Sequence, residues 1–103
     1  MAILAFIVDE SLKTDEGTRL MPGVLMSDSR PEVGLLIQGT PIMLKQPDGT
    51  EIHTPLLNYG VSLVDLGDGN VGMPEDPYVE FLVNATEEEI PIGTEVWIGF
   101  SVQ

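Results

Sequence analysis

Cysteine is absent from this chain, which excludes disulfides, thiolate catalysis and cysteine-ligated zinc together. Basic side chains are scarce, four lysines and arginines against 17 acidic residues, for a formal net charge of −13. A field of that sign repels phosphate backbones and anionic lipid, attracts cations and basic protein surfaces, and favours solubility. Histidine occurs once, so any histidine dyad or triad would have to use His53. That residue stands beside Glu51 at an outward strand position and reads as a solvated strand side chain, because a triad needs a positioned nucleophile and an orienting acid. Thr54 and Ser62 are near in sequence, but no Gly-x-Ser-x-Gly elbow is present. Nothing matches the phosphate-cradling Gly-x-x-x-x-Gly-Lys-Ser/Thr loop. Carboxylates are so abundant that no pair stands out for glycoside chemistry. These absences leave no catalytic residue, cofactor site or metal ligand to assign.

What is present has the makings of one domain over residues 1–103, with a hydrophobic content of 43%. The opening stretch from Ile3 to Val8 is apolar on both faces, with Leu4, Phe6 and Val8 alternating against Ile3, Ala5 and Ile7. It lacks a basic flank and meets Asp9-Glu10 at once, so it reads as a strand rather than a signal peptide or membrane span, and cytoplasmic residence is expected. Asp9 to Gly17 reads as a loop. Thr18 to Met26 resumes a strand with Leu20, Val24 and Met26 inward, while Pro22 and Gly23 in its middle predict a bulge or an edge. Ser27 to Gly34 is turn-rich.

The stretch from Leu36 to Leu44 carries a Gly-Thr corner that launches a strand at Pro41. An echo lies 54 positions on: superposing Gly39 on Gly93 matches Leu36 with Ile90, Thr40 with Thr94, Ile42 with Val96 and Leu44 with Ile98. Asp48-Gly49 is a hairpin signal between Pro41–Gln46 and Glu51–Leu57, and Val61 to Val64 continues the sheet. Leu66 to Pro77 reads as a long Gly- and Pro-rich loop whose Asp65, Asp68, Asn70, Glu75 and Asp76 offer oxygens of the kind calcium takes, in no recognised calcium-loop spacing. Tyr78 to Val83 is a strand with Val79, Phe81 and Val83 inward. Thr86-Glu87-Glu88-Glu89 reads as one helical turn capped by Thr86 or Asn84. The last strand turns Val96, Ile98, Phe100 and Val102 inward and Glu95, Trp97, Gly99 and Ser101 outward. Short strands and no long helix predict an all-β fold, a small closed antiparallel barrel of six or seven strands, with a β-sandwich as the alternative.

The order of these parts resembles the second, β-barrel domain of translation elongation factor Tu and its relatives, here as a stand-alone domain. The likeness rests on Phe6-Ile7-Val8-Asp9, on Gly17-Thr18-Arg19 running to Gly23-Val24, on Leu36 to Leu44, and on Val79-Glu80-Phe81 through Glu87-Glu88-Glu89-Ile90 to Gly93, Val96 and Ile98. It departs from that pattern in the placing of Gly23 and in the length of Ser27 to Gly34. The resemblance implies a barrel scaffold without its nucleotide-binding motor, so GTP hydrolysis is not carried over. The tRNA contact made by such barrels in that family does not suit a chain with four basic residues among 17 acids.

With Val96 and Ile98 inward, Trp97 points out, and Met43 occupies the equivalent place in the other copy. Leu82 and the second face of the first strand, Ile3 and Ile7, are also left outside. Trp97, Met43, Leu82, Ile3 and Ile7 are therefore the candidate interaction residues. The function expected is a non-enzymatic acidic binding or assembly module acting through protein–protein contacts, with itself or with a partner. An acidic inhibitor of a basic nucleic-acid-handling protein is one variant, a structural subunit of a larger assembly an alternative, and a small enzyme ranks last.

Overall fold

The computed structural model describes residues 2–61, 64–72 and 77–99. Its framework is one continuous antiparallel sheet of seven strands: β1 (Ile3–Ile7), β2 (Glu10–Thr14), β3 (Gly17–Leu25), β4 (Pro41–Lys45), β5 (Glu51–Val61), β8 (Tyr78–Val83) and β9 (Glu95–Ile98). They lie side by side in the order β1-β9-β4-β5-β8-β3-β2 and curl into a half-barrel. A separate two-stranded ribbon is formed by β6 (Val64–Gly67) and β7 (Asn70–Gly72). The fold is all-β, apart from a four-residue helix, α1 (Pro31–Gly34), and a 3₁₀ turn over Glu87–Glu89. No helix among the described residues is long and apolar enough to cross a membrane.

The twin Gly-Thr corners share one hydrogen-bond pattern. In the first, the backbone N–H and the Oγ1 of Thr40 both donate to Ile37 O, at 3.0 and 2.6 Å. In the second, the same two groups of Thr94 donate to Pro91 O, at 3.1 and 2.6 Å. Gly39 and Gly93 supply the third residue of the turns at φ 92° and 95°, a backbone region that a side chain disfavours. Each corner then docks the same way on a neighbouring segment. Gly39 N donates to Leu56 O and Leu56 N to Thr40 O, while Gly93 N donates to Val8 O and Val8 N to Thr94 O, all within 2.7–2.9 Å. The strands they launch, β4 and β9, pair antiparallel with Met43 opposite Trp97. Because Met43 and Trp97 are themselves 54 positions apart, this pair marks a pseudo-twofold axis through the sheet.

Strand β5 is the pivot of the curl. Its first half pairs with β4 from Glu51 to Pro55, and its second half pairs with β8 from Leu56 to Val61. A register shift between Leu56 and Asn58 marks the handover, as a bulge does when it bends a strand. On the inner side, Leu20, Ile42, Leu44, Leu56, Phe81, Val83, Val96 and Ile98 are buried, and Phe6 meets Phe81 edge-to-face at 5.2 Å. The threonines buried beside them are bonded: Thr18 donates to Ala85 O, Thr94 to Pro91 O, and Thr54 accepts from Asn84 N.

Several expectations are corrected. Asp9 to Gly17 is not a loop: Glu10–Thr14 pairs with β3 residue by residue, because a two-residue Asp15-Glu16 turn reverses the chain. Met26 is exposed, the strand having ended at Leu25, although Leu20 and Val24 are buried as expected. The predicted irregularity at Pro22-Gly23 is present as a register shift between Leu20 and Val24, and the Met21–Pro22 bond is cis. A Cβ on Gly23 would collide with the Val79 carbonyl, so only glycine lets β3 approach β8 there. The Ser27–Gly34 segment includes α1, and the Leu66–Pro77 segment includes part of the β6–β7 ribbon. The strand expected over Glu51–Leu57 is longer, β5 running on through Asn58-Tyr59-Gly60 to Val61. The inward assignments of Phe100 and Val102, the outward one of Ser101, and the oxygens of Glu75 and Asp76 lie outside the described residues.

The first strand also alternates differently from its sequence pattern. A register shift between Leu4 and Phe6 places Ile3 opposite the buried Ile98, and Leu4 opposite Trp97. Ile3 therefore packs against the core, with Ala5, and it is Leu4 that joins the outer face.

Candidate interaction surface

The outer face of β1, β9, β4 and β5 presents a lateral row of four side chains. Register places Leu4 beside Trp97, Trp97 beside Met43, and Met43 beside His53, one residue from each strand in turn. Directly facing residues on neighbouring strands have Cβ atoms about 4.5–5.5 Å apart, close enough for side chains of this size to touch. Leu4, Trp97 and Met43 are half-buried, while His53 at the end of the row is exposed. The row straddles the pseudo-twofold axis, so its two halves, Leu4–Trp97 and Met43–His53, are alike in position and unlike in chemistry.

A second row runs alongside, from Ile7 through Glu95 and Lys45 to Glu51. Here the residue type changes from apolar to charged, and Ile7, 49% exposed, is the apolar end of it. The rows are tied together by Glu95, whose Oε1 accepts from the indole Nε1 of Trp97 at 3.0 Å. That bond settles the polar edge of the ring against the sheet and leaves its apolar body to the face. Of the five candidates from the sequence, Trp97, Met43 and Ile7 share this face. Leu82 is elsewhere, between Arg19 and Asn58 on the other half of the sheet, and Ile3 is turned to the core. Leu4 was missed because its exposure depends on the bulge, for which the run Ile-Leu-Ala-Phe-Ile carries no local signal.

Backbone groups at both ends of the sheet are occupied by side chains. On β1, Arg30 Nη1 donates to Leu4 O at 2.8 Å and Nη2 to Ala5 O at 3.2 Å. The same guanidinium holds Asp28, with Nη2 at 2.7 Å from Oδ2. That hydrogen bond from Arg30, more than the charge itself, keeps the Asp28 carboxyl below the usual carboxylate range, and Asp28 in return raises Arg30. On β2, the Lys13 amide donates to Glu87 Oε1 at 3.1 Å. Glu87 is delivered there by the 3₁₀ turn, which Thr86 and Glu89 close with a capping box. At the β4–β5 hairpin, Asp48 accepts from Thr50 N at 2.9 Å, and this bond lowers its carboxyl too.

Among the described residues, no group of three or more His, Asp or Glu is placed to hold a metal ion. The chain matches no protein-family model, no curated protein and no solved structure.

Proposed function

We propose that the protein is a non-enzymatic acidic assembly module, joining to another protein surface through the outer face centred on Trp97. The observation that carries this reading is the row Leu4–Trp97–Met43–His53, apolar over three adjacent strands and bordered by the charged row of Glu95, Lys45 and Glu51. An apolar centre with a polar rim is the composition of a contact surface, and aromatic and methionine side chains are enriched there. Arg30 on β1 and Glu87 on β2 favour contact by the face over contact by an added strand, because they take up backbone groups that a new strand would use.

A closed barrel of the kind found in the second domain of elongation factor Tu belongs to the same proposal. Its support is the short stretch between β1 and β2, where Val8 N donates to Thr94 O and the next amide, Asp9 N, donates to Met21 O, both at 2.9 Å. One chain segment thereby bonds both Thr94, the residue before β9, and Met21 of β3, strands second from opposite ends of the sheet order, and a cylinder would make the Trp97 face a rigid outer wall.

The test is sedimentation velocity of the full chain over a range of concentrations at about 0.5 M salt, which shortens the range of repulsion between like-charged copies to a few ångströms. A mass that rises above the 11.2 kDa of one chain, and that falls back to it for Trp97→Ser, supports the module reading. A single-chain mass for the unaltered protein at every concentration removes the self-assembly form of it.

A further inference from the structure

The other half of the sheet carries a groove of its own, with a volume of about 730 Å³, over β3, β8 and the end of β5. Its floor is low at Gly60, where an added Cβ would meet no atom within 4 Å. The half-buried Leu82 supplies its apolar wall, with the exposed Asn58 opposite it across the β5–β8 pair. Glu80 faces Gly60 across the β5–β8 pair, with Arg19 Nη1 3.9 Å from its carboxylate. The tight turn between β2 and β3 brings Asp15 and Glu16 to the same opening. Three carboxylates against one guanidinium leave the lining with a net charge of −3 + 1 = −2.

We propose that this groove seats an arginine-bearing segment of a protein partner. Charge complementarity selects the occupant: the lining is negative, the whole chain is strongly negative, and a nucleic-acid backbone would be repelled. The mixture of groups selects arginine within the basic class. A guanidinium meets carboxylates through two parallel N–H bonds, whereas an ammonium acts as a point charge. The apolar wall at Leu82 accommodates the methylene stem of such a side chain. This surface is separate from the Trp97 row, so the two readings stand or fall independently.

The experiment is an NMR titration of the isotopically labelled full chain with the pentapeptide acetyl-Gly-Arg-Gly-Arg-Gly-amide. Saturable shifts concentrated at Arg19, Gly60, Glu80 and Leu82 are expected. Gly60→Val should weaken binding by about tenfold with the thermal midpoint unchanged, since a β-branched side chain suits an open strand position and fills the floor. The lysine version of the peptide should bind less tightly than the arginine version. Glu88→Gln, in the exposed 3₁₀ turn, and Trp97→Ser should leave the affinity as it was. Shifts scattered over every acidic surface, equal losses for Gly60→Val and Glu88→Gln, or loss of binding in Trp97→Ser would each overturn the proposal.

Discussion

The two halves of the sheet are built on the same alternation but solve different problems. The half made by β1, β9, β4 and the start of β5 is pseudo-symmetric, two identical corners launching two strands that meet at Met43 and Trp97. Its outer face is apolar at the centre. The half made by the end of β5, β8, β3 and β2 has no such repeat. It is bent by register shifts at Leu56–Asn58 and Leu20–Val24, and its outer face carries Arg19, Glu80 and a groove. The first half keeps an even row of side chains despite the register shift in β1, whereas the two shifts in the second half accompany a groove. Within the core that both halves share, one seam is the contact of Phe6 from the first with Phe81 from the second.

The largest effect should come from that seam. Phe81→Ala removes a fully buried ring and should lower unfolding free energy by about 3–5 kcal/mol, read by chemical denaturation. A variant that kept its stability would show that the halves are not joined there. Next comes Gly23→Ala, which should cost about 3 kcal/mol because its Cβ has nowhere to go but the Val79 carbonyl. Then the corners themselves: Gly39→Ala and Gly93→Ala should each lose about 1–2 kcal/mol, nearly equally, since both force a side chain onto positive φ. Unequal losses would break the pseudo-symmetry in energy even though it holds in geometry. The smallest effect belongs to Asp28. Its lowered carboxyl contributes stability that is present above the ordinary carboxylate range and is lost as pH falls through the lowered value. Comparing the protein with Asp28→Asn, the gap between their thermal midpoints should narrow on acidification below about pH 4. An unchanging gap would show that the Arg30 contact adds nothing, as for many exposed ion pairs.

Much of the regular half was legible because its signals are local. A Gly-Thr pair, a positive-φ glycine and strict alternation from Val96 to Ile98 each speak through neighbours in sequence, and the Asp48-Gly49 hairpin does the same. So does the capped turn at Thr86, whose capping residue and acidic first turn are both visible in Thr-Glu-Glu-Glu. The irregular half was less legible for a physical reason. Nothing near Asn58-Tyr59-Gly60 announces that a strand rich in turn residues will continue, because β8 stabilises it from 20 to 24 positions further on. Glu10–Thr14 was hidden in the same way: its charges suit an exposed loop, and only pairing with β3 makes it a strand. The candidate face fell between these cases. Trp97 and Met43 were readable from alternation, while the exchange of Ile3 for Leu4 depends on a bulge set by tertiary pairing. The groove was not anticipated at all, since its parts come from three separated segments.

Self-assembly through the Trp97 face is the central proposal. Its most direct test compares the sedimentation mass of the protein with that of Trp97→Ser at matched concentration and high salt, with circular dichroism as the check on the fold. The prediction is a concentration-dependent mass that the substitution returns to one chain while the β-sheet spectrum stays the same. Identical masses for the two proteins, both correctly folded, would contradict it.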